Sequence, residues 1–185
     1  MSQIDLQQRF RGYLLGLAVG DAVGATVEFQ RRGSFPPVTD MVGRGSFHLQ
    51  PGQWTDDTSM ALCLGTSLVE MGTFDAGDQM NRYCQWREQG YLSSTGTCFD
   101  IGIIVSQALT KYQISGHPFS RSTNPRSAGN GCLMRLAPIP MFYFSEVDRH
   151  PPFFWGKLPH HPRSCGVYRG KSPIWRDIIS DSLRS

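Results

Sequence analysis

The chain has 185 residues, 39% of them hydrophobic and 18% charged, with a formal net charge of +3. This size suits one ordinary globular domain with a real core. So small a charge excludes a strong nucleic-acid or membrane-surface field. The N-terminus, MSQIDLQQRF, lacks the basic-then-apolar pattern of a leader peptide. Five scattered cysteines (Cys63, Cys84, Cys98, Cys132 and Cys165), never in CxxC spacing, predict reduced thiols and a cytoplasmic setting. The apolar run from Tyr13 to Val27 is too short to span a bilayer and carries Asp21.

In chain order, Asp5 can cap a first helix in which Leu6, Phe10, Tyr13, Leu14 and Leu17 recur at helical spacing. Gly12, Gly16, Gly20 and Gly24 follow one another every four residues, forming a ridge that another helix or a ligand can approach closely. A flexible glycine-rich loop is the competing reading. Residues 33–52, rich in Gly, Pro and Ser, read as a long functional loop. A helix then starts near Thr58, with Met60, Ala61, Leu64, Leu68 and Met71 on one face and Gly72 at its end. The next runs from about Asp75 to Gln89, with Met80, Tyr83, Cys84 and Trp86 inward and Gly90 as its stop. Further helices are predicted over Ile101–Tyr112 and from Gly131 to about Phe144, the last interrupted by Pro138 and Pro140. No alternating strand stands out, so the expected fold class is all-α, a helical bundle with functional loops.

Three segments between these helices carry candidate chemistry. Gln53-Trp54-Thr55-Asp56-Asp57-Thr58 places two carboxylates among hydroxyls, hard oxygens that suit Mg²⁺, Mn²⁺ or Ca²⁺. The same string also reads as an ordinary helix cap, since Asp and Thr favour the N-terminal end. Residues 90–102, GYLSSTGTCFDIG, offer small residues and backbone N–H groups to phosphate oxygens, or form a simple capped loop. In Ser127-Ala128-Gly129-Asn130-Gly131-Cys132-Leu133-Met134-Arg135, Asn130 between glycines allows either close approach to a ligand or a tight turn.

Taken together with GLAVGDAVG at 16–24 and Glu28-Phe29, these strings resemble the ADP-ribosylglycohydrolase family, in the family's order, over roughly residues 6–147. The resemblance implies an all-helical domain that binds ADP-ribose above two divalent cations, Mg²⁺ or Mn²⁺. It implies Thr55, Asp56 and Asp57 as metal ligands. Glu28 matches a glutamate beside the metals, and Asp100 an aspartate that assists proton transfer. Catalysis would then fall to Glu28, Asp56, Asp57 and Asp100. Ser94, Thr95, Gly96, Thr97, Asn130 and Gly131 would line the ADP-ribose site. The implied reaction removes ADP-ribose from a modified protein side chain, with arginine linkage foremost; serine-linked or O-acetyl ADP-ribose remains open within the family. The implied partner is an ADP-ribosylated protein or an ADP-ribose-containing small molecule, with no nucleic acid and no membrane. The rival class is a non-catalytic ADP-ribose-binding relative or pseudoenzyme.

The last part of the chain departs from that pattern. The family carries a second metal motif, Asp-x-Asp-Ser/Thr, towards its C-terminus, which Asp177 and Asp181 do not form. Residues 1–148 hold 11 Lys+Arg and 13 Asp+Glu, a balance of −2, whereas residues 149–185 hold 7 and 2, a balance of +5. Five of the 12 prolines fall in that final stretch. Permitted codons for Phe154–Ser164, read one nucleotide later, spell the family-like SGESSRTTHG. The expectation is therefore two regions: 1–148, the N-terminal part of an ADP-ribosylglycohydrolase domain, and 149–185, a poorly ordered out-of-frame tail beyond a frameshift near Arg149–His150. Loss of the second motif would impair activity, and an incomplete core would expose apolar surface. A basic tail for an acidic partner, with His160-His161 as a metal pair, is the competing reading.

Overall fold

A computed structural model describes residues 3–119 and 129–144. The described residues are helical, with no strand beyond one isolated bridge, Arg44 to Leu49, so the all-α class holds. The expected tail, the frameshift point, Cys165 and His160-His161 lie outside the described residues, as do Ser127 and Ala128 of the third segment.

The elements are α1 (Gln3–Gly24), α2 (Asp56–Met71), α3 (Ala76–Gln89), α4 (Ile103–Ser115), α5 (Gly131–Met134) and α6 (Pro138–Phe142). A short 3₁₀ turn, Ala25–Val27, follows α1. α2 is the central helix and packs against α1, α3, α5 and α6, while α4 lies on α3. Met60, Ala61, Leu64 and Leu68 of α2 are buried as their spacing predicts, but Met71 at the last turn is exposed. Met60 and Cys63 meet Tyr83, Cys84, Trp86 and Leu109 in the main core. A smaller cluster joins Phe10 of α1 to Met141 of α6, flanked by Leu6, Leu14, Val69 and Phe142.

Helix ends follow local chemistry where the chain supplies it. Asp75 caps α3 by accepting a hydrogen bond from the Asp78 N–H at 2.8 Å. Gly72, Gly90 and Gly116 each close a helix in the left-handed conformation. Gly90 is irreplaceable on two counts: φ is +67°, and a Cβ there would lie 2.0 Å from the Gly96 carbonyl oxygen. Its close approach brings residues 93–97 back over the end of α3.

Several expectations need correction. Asp5 lies inside the first turn of α1, paired with Arg9, rather than at the cap. α2 begins at Asp56, two residues before the predicted start, and α4 begins at Ile103, two residues after it. The predicted last helix is two short ones, because prolines at 138 and 140 cannot donate backbone hydrogen bonds within a continuous helix. Nothing described lies within 4 Å of a Cβ built at Gly12, Gly16, Gly20 or Gly24. No described helix is long and apolar enough to cross a membrane.

Candidate active site

The acidic pair sits at the first turn of α2, where unpaired backbone N–H groups favour negative charge. Thr55 is the N-cap residue, yet its side chain does not cap the helix. That task falls to Asp21, reaching across from α1. Its Oδ1 accepts hydrogen bonds from the Thr55 N–H at 3.0 Å and the Thr55 hydroxyl at 2.7 Å. Its Oδ2 accepts from the Thr58 N–H at 3.0 Å and the Thr58 hydroxyl at 2.6 Å. The string is therefore a helix start, as one reading held, but the cap comes from another helix. Asp21 was absent from the predicted site residues. The available signal was its standing as the lone charge in the run Gly12–Val27.

Around this start the structure gathers four more carboxylates. Asp56 is buried, and Glu28, Asp57 and Asp100 are half-buried. Burial, then repulsion from Asp100, Asp57, Asp21 and Glu28, pushes Asp56 up to about 8. Burial also raises Glu28 to about 7, with Asp100 adding repulsion and a hydrogen bond. Asp57 is raised by burial and by Asp21 and Asp100; Asp100 is raised by burial, with the Glu28 hydrogen bond opposing. Glu28 and Asp100 thus form a pair of neighbouring carboxyls, each raised above its ordinary value chiefly by burial. Among the described residues, no Lys, Arg or His forms an ion pair with these groups.

Constrained backbone lies at one member of that pair and next to the other. Asp100 itself has φ +56°, and Phe29, next to Glu28, has φ +63°. Such strain persists only where surrounding structure imposes it. Beside Glu28 and Asp100, Phe29, Phe47 and Phe99 form a run of ring contacts at 5.9 and 5.3 Å. The Ser46 hydroxyl donates to the Glu28 carbonyl at 3.2 Å, so the long loop folds back on the 3₁₀ turn.

The second segment is tied to the first. The Ser94 hydroxyl donates to the Trp54 carbonyl at 2.6 Å, and Gln53 Nε2 donates to the Ser94 carbonyl at 3.3 Å. Thr95, Gly96 and Thr97 are exposed, and their hydroxyls bond within the loop rather than capping α4. The loop therefore meets the acidic motif through Ser94 and presents Thr95–Thr97 to solvent. Asn130 and Gly131 open α5 instead, where Gly131 packs beside Val105 of α4. No hydrogen bond joins them to the acidic group among the described residues.

The donor set suits a hard cation in chemistry: threonine and carboxylate oxygens with unbalanced negative charge. Thr55's hydroxyl proton is committed to Asp21, leaving its lone pairs available to a ligand. Geometrically the set is partial, since no three His, Cys, Asp or Glu side chains converge to hold an ion among the described residues. The fit is to one side of a cation site.

Residues 2–151 match the family model described as ADP-ribosylglycohydrolase. The chain belongs to the ADP-ribosylglycohydrolase family. It is 45% identical over 139 residues to an ADP-ribosylarginine hydrolase of Serratia proteamaculans, covering 75% of this chain and 38% of that protein. It is 37% identical to the ADP-ribosyl-[dinitrogen reductase] glycohydrolase of Rhodospirillum rubrum, covering 75% and 46%. A solved structure titled "ADP-ribosylglycohydrolase-related protein complex" superposes with a TM-score of 0.61 at 45% identity, covering 74% of this chain and 43% of that one. This ADP-ribosylglycohydrolase chain thus spans less than half the length of these relatives.

Proposed function

We propose that the domain to which this chain contributes hydrolyses the bond joining ADP-ribose to a modified protein side chain, with ADP-ribosyl-arginine as substrate class. The observation that carries this reading is the gathering of Glu28, Asp56, Asp57 and Asp100 at the start of α2, each with its proton affinity raised. The kinship with hydrolases acting on that linkage supports the choice of arginine.

The chemistry breaks the C1″–N bond of the ribose. Its electron pair goes to the guanidine nitrogen, which takes a proton, while a water oxygen bonds to C1″ and gives up one. A carboxyl pair that holds one proton near neutrality can deliver it to the leaving nitrogen and recover one from water. Glu28 and Asp100 supply that pair. Ser94, Thr95, Gly96 and Thr97, with Asn130 and Gly131, would contact ADP-ribose oxygens through hydroxyl and backbone N–H groups. Thr55, Asp56 and Asp57 would hold a divalent cation, Mg²⁺ or Mn²⁺, one of two in the complete family domain. When bound, such an ion supplies positive charge for ribose hydroxyls and acidifies a bound water.

A second reading, ADP-ribose binding without turnover, is favoured by the incomplete convergence of metal ligands. One experiment separates them: the full chain with ADP-ribosyl-arginine and Mn²⁺, following ADP-ribose release, alongside calorimetry with ADP-ribose. Release that disappears on Asp56→Asn or Asp57→Asn supports the hydrolase. Binding without release gives the second reading, and neither signal overturns both.

A further inference from the structure

Asp21 does more than an N-cap requires. Capping α2 would need only the two backbone N–H groups, yet the carboxylate also accepts both hydroxyl protons, one threonine to each oxygen. Thr55 and Thr58 are 5% and 3% exposed, so packing fixes the rotamers that make these bonds. A hydroxyl has one proton and two lone pairs. With its proton given to Asp21, Thr55 can face any other partner only as an acceptor. The same bonds set the turn from which Asp56 and Asp57 project.

We infer that Asp21 is a positioning residue, holding Thr55 as an oriented acceptor for a divalent cation and fixing the helix turn from which Asp56 and Asp57 project. This rests on the proposed reading of Thr55, Asp56 and Asp57 as cation ligands. It differs from a plain tie between α1 and α2, which would stabilise the fold without acting through the Thr55 hydroxyl. Groups that orient a metal ligand from behind typically change affinity 10- to 100-fold when removed.

The test uses Mn²⁺ alone, titrated into the full chain and followed by the electron paramagnetic resonance of free Mn²⁺. Asp21→Ala should weaken binding by about tenfold or more. Asp21→Asn, which keeps one acceptor oxygen but turns an NH₂ towards the other threonine, should fall between. The loss should shrink when Asp21→Ala is made in a Thr55→Val background, because the hydroxyl through which Asp21 acts on the ligand is then gone while its bonds to the turn of Asp56 and Asp57 remain. An equal loss in both backgrounds overturns the inference and leaves a structural tie. So does Mn²⁺ affinity unchanged by Asp21→Ala. Amide exchange at Thr55 and Thr58 gives a readout independent of metal: it should quicken in Asp21→Ala, and unchanged exchange overturns the inference. A wild-type chain that takes up no Mn²⁺ overturns the cation reading itself, an outcome distinct from uptake that ignores Asp21.

Discussion

α1 and α2 are both long and largely apolar, but they meet different fates. α2 is covered by α1, α3, α5 and α6, so Ser59, Thr66 and Ser67 are buried along with its leucines. α1 buries Phe10, Ala22 and the side that carries Asp21, while Tyr13, Leu15 and Val19 stay 50%, 64% and 47% exposed. A helix apolar on all sides is suited to the interior. The contrast teaches that such a sequence specifies a helix without determining how many of its faces are covered. It also places the site: the α1–α2 contact is sealed by Asp21, and the candidate chemistry gathers where α2 begins.

The contrast can be pressed hardest in the core. Trp86→Ala, emptying the space between α2, α3 and α4, should cost about 3–5 kcal/mol in denaturant unfolding. Leu15→Ala on the open face of α1 should change stability by less than about 0.5 kcal/mol. Similar costs at both positions would break the distinction between the helices.

Next comes pH. Glu28 and Asp56 have folded-state values of about 7 and about 8, above their ordinary values of 4.5 and 3.8. The folded chain therefore binds more protons than the unfolded one between pH ~4 and ~8. Metal-free stability is fully present below that window and falls as pH rises through it, by on the order of a few kcal/mol once solvent screening of the half-exposed Glu28 is allowed for. Thermal melts with chelator at pH 5 and pH 8 should show the drop. Asp56→Asn should make it shallower, with Glu28 still titrating, and added Mn²⁺ should offset it at pH 8.

Glycines give the sharpest comparison at equal chemistry. Gly90→Ala forces a Cβ to within 2.0 Å of a backbone oxygen at positive φ and should destabilise by more than about 1 kcal/mol. Gly16→Ala meets nothing described within 4 Å and should stabilise α1 by roughly 0.5–1 kcal/mol. The two melting temperatures should shift in opposite directions.

Much of this was legible in the residues. Apolar spacing located α2 and α3, and Gly72 and Gly90 marked their ends, because left-handed caps strongly prefer glycine. Asp56 and Asp57 stood out because adjacent carboxylates framed by threonines invite a cation. The resemblance added Glu28 and Asp100, and the family membership bears out the recognition.

What the sequence by itself determined is local and chemical: helical class, glycine stops, and the residue types that mark the family. Only the tertiary structure decided that Asp21 caps α2 from another helix, and that Glu28 and Asp100 pair although 72 positions apart. It also decided that Ser94 hangs from Trp54. The reason is range. A cap or a stop depends on a few neighbouring dihedrals, whereas a raised carboxyl or a shared proton depends on which distant groups packing brings within hydrogen-bond reach and out of water.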